Sequence, residues 1–227
     1  MIILGIETSG RRGSVAVCRD GEVLASWTFP EGARRARDIM TAVDRVVSDA
    51  GLGKAELDAA AVSEGPGSFT GLRVGVTCAK TLAYALGWRC VGIPSLEVQA
   101  RNVDPEQYDC RHTCPILDAR RGRVYGTLFR WDDGWEDATG VLCTTPQDLA
   151  ERLPDGTLVF GSGVKAYPDV FENDRLRVGP AELAVGRAEA VARLGAERIR
   201  RGRDVDPMQL VPRYYRLTTP EEKLQKT

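Results

Sequence analysis

The chain has 227 residues, 43% of them hydrophobic, and a formal charge of −1 at pH 7. That is enough apolar material for one large domain or two small ones of about 100 residues each. No secretory n-region precedes the first apolar run, and no uninterrupted apolar stretch approaches the roughly 18 residues that cross a bilayer, so the expectation is a cytoplasmic protein with no membrane partner. A near-neutral chain has no global field for nucleic acid, which leaves the pairs Arg11-Arg12, Arg34-Arg35, Arg120-Arg121 and Arg200-Arg201 as solvated faces or local patches. One histidine, His112, excludes a His-x-x-x-His metal pair and forces any Ser-His-Asp or Cys-His arrangement onto itself; beside Pro115 it reads as a surface-loop residue. The six cysteines are scattered through strand and helix patterns, as in a reduced core. The one metal-like spacing, Cys110-Arg111-His112-Thr113-Cys114, lacks the fourth ligand of a closed zinc site, and no metal is expected.

In chain order, the first half opens with strands Ile2 to Ile6 and Ser14 to Arg19, an Asp20-Gly21 hairpin turn, and a strand from Glu22 to Phe29. A helix is expected from about Arg35 to Ala50, with Ile39, Val43, Val46 and Ala50 on one stripe and Gly51 as its stop. The apolar run Leu57 to Ser63 reads as a strand, and a long helix from Phe69 to Leu86 closes at Gly87. A strand at Cys90 to Ile93 and a short helix capped by Ser95 complete this half.

After a polar stretch from Asn102 to Thr113, which reads as a linker, the second half runs through the same programme. It has strands Pro115 to Asp118 and Arg123 to Trp131, a turn at Asp132-Asp133-Gly134, a third strand to Cys143, and a helix started by Pro146. Strands Leu158 to Gly161 and Leu176 to Val178 precede a long helix from Pro180 to about Arg201; the tail after Thr218 is polar and reads as mobile. A three-strand meander followed by alternating helix and strand is the ribonuclease-H-like pattern. Two tandem copies make the actin-like ATPase fold, an α/β class, with expected domains at residues 1–103 and 104–227.

The stretch Gly65-Pro66-Gly67-Ser68-Phe69-Thr70-Gly71-Leu72-Arg73-Val74-Gly75 joins strand to helix. Pro66 suits the second position of a tight turn, Gly67 can take a positive φ, and Ser68 or Thr70 can cap the helix. A helix N-terminus after a glycine-rich turn can hold an anion, but two phosphate motifs fail on spacing. No glycine is followed at the required distance by Gly-Lys, and Thr70 stands where the dinucleotide fingerprint has its third glycine. A well-capped turn without a ligand is the plainer reading.

Two catalytic settings suit this fold class. A two-metal nuclease would combine Glu7 with Asp38 or Asp44 and Glu64, although each carboxylate also has an ordinary role on a turn or a polar helix face. A kinase or ATPase would use an acid after the first strand and glycine-rich turns in both halves. Glu7, Thr8 and Ser9 are thus candidates for nucleotide or metal binding, with Gly161-Ser162-Gly163 as the second turn. The short loops and a second half of about 110 residues leave little room for an enclosing nucleotide cleft.

The eleven-residue stretch resembles the signature of the bacterial TsaB (YeaZ) family of tRNA threonylcarbamoyladenosine biosynthesis proteins, related to the glycoprotease/TsaD family. Residues Ile3 to Ser9, Ile116 to Tyr125 and Val211 to Arg216 look like the family's other recurrent stretches, in order. The resemblance implies the actin-like fold and a subunit without catalytic residues of its own. Such a subunit binds and activates TsaD for transfer of threonylcarbamoyl to the tRNA adenosine next to the anticodon. It further implies TsaE as the complex's ATPase, ATP and Mg used by the complex instead of a firmly bound cofactor, and tRNA met indirectly, and it leaves open whether the chain alone is a homodimer or a monomer. Two positions depart from the pattern: Glu7 stands for the usual Asp, and Ala36-Arg37 for a His-Ser pair. The alternative is an independent actin-fold ATP-dependent phosphotransferase or hydrolase; a protease would have to build its machinery around His112.

Helix geometry points to a partner independently. At about 100° per residue, Leu72, Val76, Ala79, Ala83 and Leu86 form one stripe, and Gly71, Gly75, Cys78, Leu82 and Ala85 a second beside it, so the apolar arc exceeds what one core needs. Gly75 costs about 1 kcal/mol relative to Ala within a helix, which close approach of another helix would offset. Met40 and Val47 flank the core stripe of the preceding helix. The family resemblance implies dimer contact through these two helices, and the expected partner-interface residues are Met40, Val43, Val47, Gly71, Val74, Gly75, Cys78 and Leu82; the motif turn, Gly65, Pro66, Gly67, Ser68, Phe69, Thr70 and Arg73, is a separate set. Burial between two domains of the same chain accounts for the same stripes.

Overall fold

A computed structural model describes residues 1–30 and 35–215. Arg34, Arg216 and the tail after Thr218 lie outside the described residues, as does the side chain of Ala36. Near the N-terminus, β1 (Ile2–Glu7), β2 (Ser14–Arg19) and β3 (Glu22–Thr28) form the expected antiparallel meander, and Asp20 and Gly21 both have positive φ, as a tight two-residue hairpin turn requires. Helix α1 (Arg35–Asp49) ends before Gly51 at φ 69°. Strand β4 (Ala59–Gly65), helix α2 (Phe69–Leu86), strand β5 (Arg89–Pro94) and the short α3 (Ser95–Ala100) follow. The sheet order is β3-β2-β1-β4-β5, with β1, β4 and β5 parallel. Helices α1 and α2 cover one face, where Leu4, Ile6, Val15, Val17, Ile39, Val43, Val46, Val62, Val76 and Ala79 make a core. Full burial of each large aliphatic side chain there contributes about 1.5–3 kcal/mol. Ser95 does not cap α3: Pro94 takes the N-cap position and Ser95 opens the helix with its hydroxyl buried.

Residues 102–111 contain no regular element, and His112 is the first residue of β6 (His112–Arg120), not a loop residue. The expected strand from Arg123 to Trp131 divides. β7 (Arg123–Gly126) pairs with β6, while β8 (Phe129–Trp131) crosses to pair with the start of β6 and with β9 (Trp135–Asp137). After Gly140, at φ 69°, β10 (Leu142–Thr144) returns to β7, so the expected third strand is also two. Helix α4 (Pro146–Arg152) starts at Pro146, capped by the Thr145 hydroxyl, which accepts from the Asp148 N–H at 3.1 Å. Then come β11 (Leu158–Phe160), the short helices α5 (Ser162–Ala166) and α6 (Pro168–Phe171), and β12 (Arg177–Val178). The main path of this sheet, β10-β7-β6-β11-β12, has the first sheet's order of third, second, first, fourth and fifth strand, and the same parallel and antiparallel senses.

The long helix expected from Pro180 breaks. A 3₁₀ turn at Ala181–Ala184 stops short of Gly186, and α7 (Ala188–Arg200) begins beyond it. Helix α7 lies on the first sheet, against β1, β2, β4 and β5, opposite α1 and α2. This corrects the expected boundaries. Among the described residues the compact units are 1–101 with 185–212, and 102–184 with 213–215, instead of 1–103 and 104–227. The physical reason is a second apolar face on the first sheet. Ile3, Ala59, Ala61, Val91 and Ile93 point away from α1 and α2 and are buried by Val191, Ala192, Leu194, Ala196 and Ile199. The approach is close: a side chain on Gly5 would overlap the Ala188 carbonyl, and one on Gly195 would overlap Ala61.

Candidate functional site

The site is built around the strand-to-helix turn after β4. Gly65 carries the positive φ, 125°, and precedes a cis bond to Pro66. Gly67, expected to hold the positive φ, is needed for another reason: a Cβ there would lie 2.5 Å from the Ser9 carbonyl oxygen. Ser68 does cap α2, its hydroxyl accepting from the Gly71 N–H at 3.2 Å, and its own N–H donates to the Ser9 carbonyl at 2.7 Å. Thr70 sits exposed inside the first turn of the helix. The motif turn is thereby fastened to the turn after β1.

That turn holds a buried carboxylate. Glu7 is wholly buried, and its Oε1 accepts from both the Ser9 N–H and the Ser9 hydroxyl at 2.6 Å. Ser63, on β4, donates its hydroxyl to Oε2. Gly186 closes the remaining side, so near that a Cβ would stand 2.8 Å from the Glu7 carboxyl carbon. Both oxygens of the acid at the end of the first strand are engaged within the protein. The other carboxylates weighed for a metal are not gathered there: Asp38 pairs with Arg37 at 2.9 Å, and Asp44 pairs with Lys54 on the solvent side of α1. Glu64 is buried on the opposite face of β4 from Ser63, over Gly92. Among the described residues no group of three His, Cys, Asp or Glu side chains is placed to hold a metal ion.

The expected partner surface separates into two sets. Val43, Val47, Gly71, Gly75, Cys78 and Leu82 are buried, and all but the glycines belong to the core between α1, α2 and the sheet. Gly75 is small because Thr8 and Val62 of the same unit press on it, not because another chain's helix does. Met40 stays 42% exposed, its sulfur 3.7 Å from that of Cys78, and Val74 is half-buried. Pattern reading missed the outward row of α2: Thr70, Arg73, Thr77, Thr81 and Tyr84 are exposed, Tyr84 at 73%. Phe69 is also exposed at the start of the helix, with the Arg73 guanidinium stacked 4.1 Å above its ring. Within its 18 residues, α2 carries only the charges of Arg73 and Lys80. The Lys80 ammonium is directed to the carbonyls of Met208 and Leu210, each at 3.4 Å. The signal was available as the uncharged run Thr77, Thr81 and Tyr84, spaced i, i+4 and i+7 on a face away from the core.

Burial pushes the thiols of Cys18, Cys78 and Cys90 up to about 11 and that of Cys114 to about 12, and raises Cys110 as well. These sulfurs are protonated at neutral pH and are not nucleophiles.

The tRNA N6-adenosine threonylcarbamoyltransferase family, TsaD, matches residues 28–168, more than half of the chain. The TsaB protein of Bacillus subtilis, a tRNA threonylcarbamoyladenosine biosynthesis protein, is 30% identical over 98% of this chain and 97% of its own length. The chain belongs to the TsaB family. TsaB of Escherichia coli is 27% identical over 99% of the chain and 98% of that protein. The solved structure of YeaZ from Pseudomonas aeruginosa superposes with a TM-score of 0.80, covering 94% of this chain and 99% of that one at 23% identity, and shares the fold. The TsaB family is thus related to TsaD, and its named members serve threonylcarbamoyladenosine biosynthesis. No helix among the described residues is long and apolar enough to cross a membrane.

Proposed function

We propose that this chain is a non-catalytic subunit of a threonylcarbamoyladenosine synthase, which binds and activates TsaD through the outward faces of α1 and α2. The observation that carries the reading is the uncharged, exposed row Thr77, Thr81 and Tyr84, flanked by Phe69 and Met40, on a helix with two charges. A solvated helix ordinarily spends that face on charges, and an aromatic-rich face poor in charge is the composition of an interface centre. The enclosure of Glu7 supports a role without catalytic residues here, because the acid at the fold's customary metal position already has its hydrogen bonds. ATP and Mg then act at the complex, with TsaE as its ATPase, and tRNA is met through the complex in the cytoplasm. In the absence of TsaD the same face pairs two copies. The repeated strand order of the second sheet supports two tandem ribonuclease-H-like halves.

The test is light scattering after size exclusion, with the chain alone and mixed with its cognate TsaD. Met40→Asp with Thr77→Arg should abolish the heteromer while leaving the melting temperature within about 2 °C of the parent, because both positions are exposed. A Gly75→Arg variant would be uninformative, since it would disrupt the core against Thr8. An unchanged heteromer with the exposed-face double variant would refute this surface. ATP turnover by the chain alone, abolished by Glu7→Ala in a variant that still folds, would favour an independent phosphotransferase or hydrolase.

A further inference from the structure

The chain has three methionines, Met1 at its start and Met40 and Met208 within it. Thioethers ordinarily fill gaps in a core, yet both internal ones lie at the surface beside α2, Met40 42% exposed and Met208 64%. Met40, on α1, meets α2 at Cys78, whose thiol donates to the Met40 sulfur at 3.7 Å. Met208, on the 3₁₀ turn Pro207–Gln209, reaches α2 at Lys80, whose ammonium donates to the Met208 carbonyl. Lys80 stands about 160° around the helix from Cys78, so the two methionines lie on opposite flanks of α2.

The thioethers react differently from the thiol beside them. A peroxide oxidises cysteine through its thiolate, and Cys78, 7% exposed and pushed up to about 11 by burial, stays a protonated and slow thiol. A thioether has no proton to lose and reacts as it stands. Its sulfur lone pair attacks one peroxide oxygen, the O–O bond breaks as the S–O bond forms, and the second oxygen leaves with both protons as water. Sulfur gives up two electrons and peroxide takes them. The product is a polar, chiral sulfoxide in place of an apolar side chain. At Met40 the new oxygen stands at the edge of the uncharged row Thr77, Thr81 and Tyr84, beside the Cys78 thiol, a weak donor.

We infer that Met40 is a reversible oxidation site, whose sulfoxide closes the face through which this chain is proposed to bind TsaD. The inference rests on that reading of the α1–α2 face. A sulfoxide oxygen carried into an apolar interface without a matched donor weakens binding about tenfold or more. Methionine sulfoxide reductases of both epimer specificities reopen the face: two thiols become a disulfide, and the sulfoxide oxygen leaves as water. Met208 is oxidised as well, but it stands off the two helices and its sulfoxide leaves TsaD binding in place.

The test treats the full chain, by itself, with hydrogen peroxide and removes the excess with catalase. Dithiothreitol then returns oxidised cysteine to thiol and leaves sulfoxide untouched. Peptide mass spectrometry locates the added oxygen, and titration with cognate TsaD follows. Met40 and Met208 should each gain one oxygen, the dissociation constant for TsaD should rise about tenfold or more, and the melting temperature should stay within about 2 °C of the parent. Added reductases, with dithiothreitol as reductant, should restore binding. Met208→Leu should show the same loss on oxidation. In Met40→Leu the dissociation constant, whatever its starting value, should be equal before and after peroxide. An unmodified Met40 at a dose that oxidises Met208, unchanged TsaD binding by a chain with Met40 oxidised, or an equal loss in Met40→Leu would each overturn the switch and leave the TsaD surface standing. Failure of the unoxidised parent to bind TsaD would overturn the surface, and the switch with it.

Discussion

Gly75 of α2 lies against Thr8 of the turn after β1, so closely that any Cβ would overlap the Thr8 hydroxyl. The glycine in the middle of the helix thus records a contact within one folding unit. Gly75→Ala should destabilise the protein by about 1–3 kcal/mol in urea denaturation, as overpacking does. Adding Thr8→Ala should recover part of that loss, and the double-mutant cycle measures the coupling.

Glu7 should behave as a structural acid. Removing it in Glu7→Ala leaves the Ser9 and Ser63 donors buried without their acceptor, a loss of at least about 2 kcal/mol by thermal or chemical denaturation. Gly186→Ala should also destabilise, because its Cβ would press on the carboxyl group. A Glu7→Ala protein as stable as its parent would contradict the enclosed carboxylate.

Thiol reactivity should divide the cysteines sharply. The five buried thiols are raised by burial and shielded from reagent, whereas Cys143 is partly exposed on β10. Titration with a thiol-specific disulfide at pH 7.5 should consume one equivalent quickly and the remainder only on unfolding.

The segment that follows α7 is pinned to β5 by Asp204, which receives Arg89 Nε at 3.0 Å and a second guanidinium nitrogen at 2.6 Å. The Arg89 guanidinium holds the Asp204 carboxyl below its ordinary 3.8. A depressed folded pKa means that the pair's contribution is present in full above pH 3.8 and fades as pH falls through the lower folded value. Both groups are partly exposed, which keeps the contribution under about 1 kcal/mol. Asp204→Asn should therefore be slightly less stable than the parent at pH 6, with the difference shrinking below pH 4; a constant difference across that range would exclude the linkage.

Sequence by itself determined the local features whose causes lie within a few residues. The Asp20-Gly21 hairpin, the stop of α1 at Gly51, the Ser68 cap and left-handed Gly87 of α2, and the start of α4 at Pro146 all stand where turn and cap chemistry put them. The eleven-residue motif also carried the family. Tertiary structure alone decided which way each apolar face looks. Cys78 and Leu82 read as a surplus stripe, yet they are buried with α1, because helical period gives the width of a stripe and not the number of neighbours it meets. The fate of α7 was equally hidden. Its row Ala188, Ala192, Gly195 and Ala196 looks weakly apolar, but small residues bury well only against a surface as flat as Gly5, Ala59 and Ala61. Those partners lie more than 125 residues away in the chain, and only close packing brings them together.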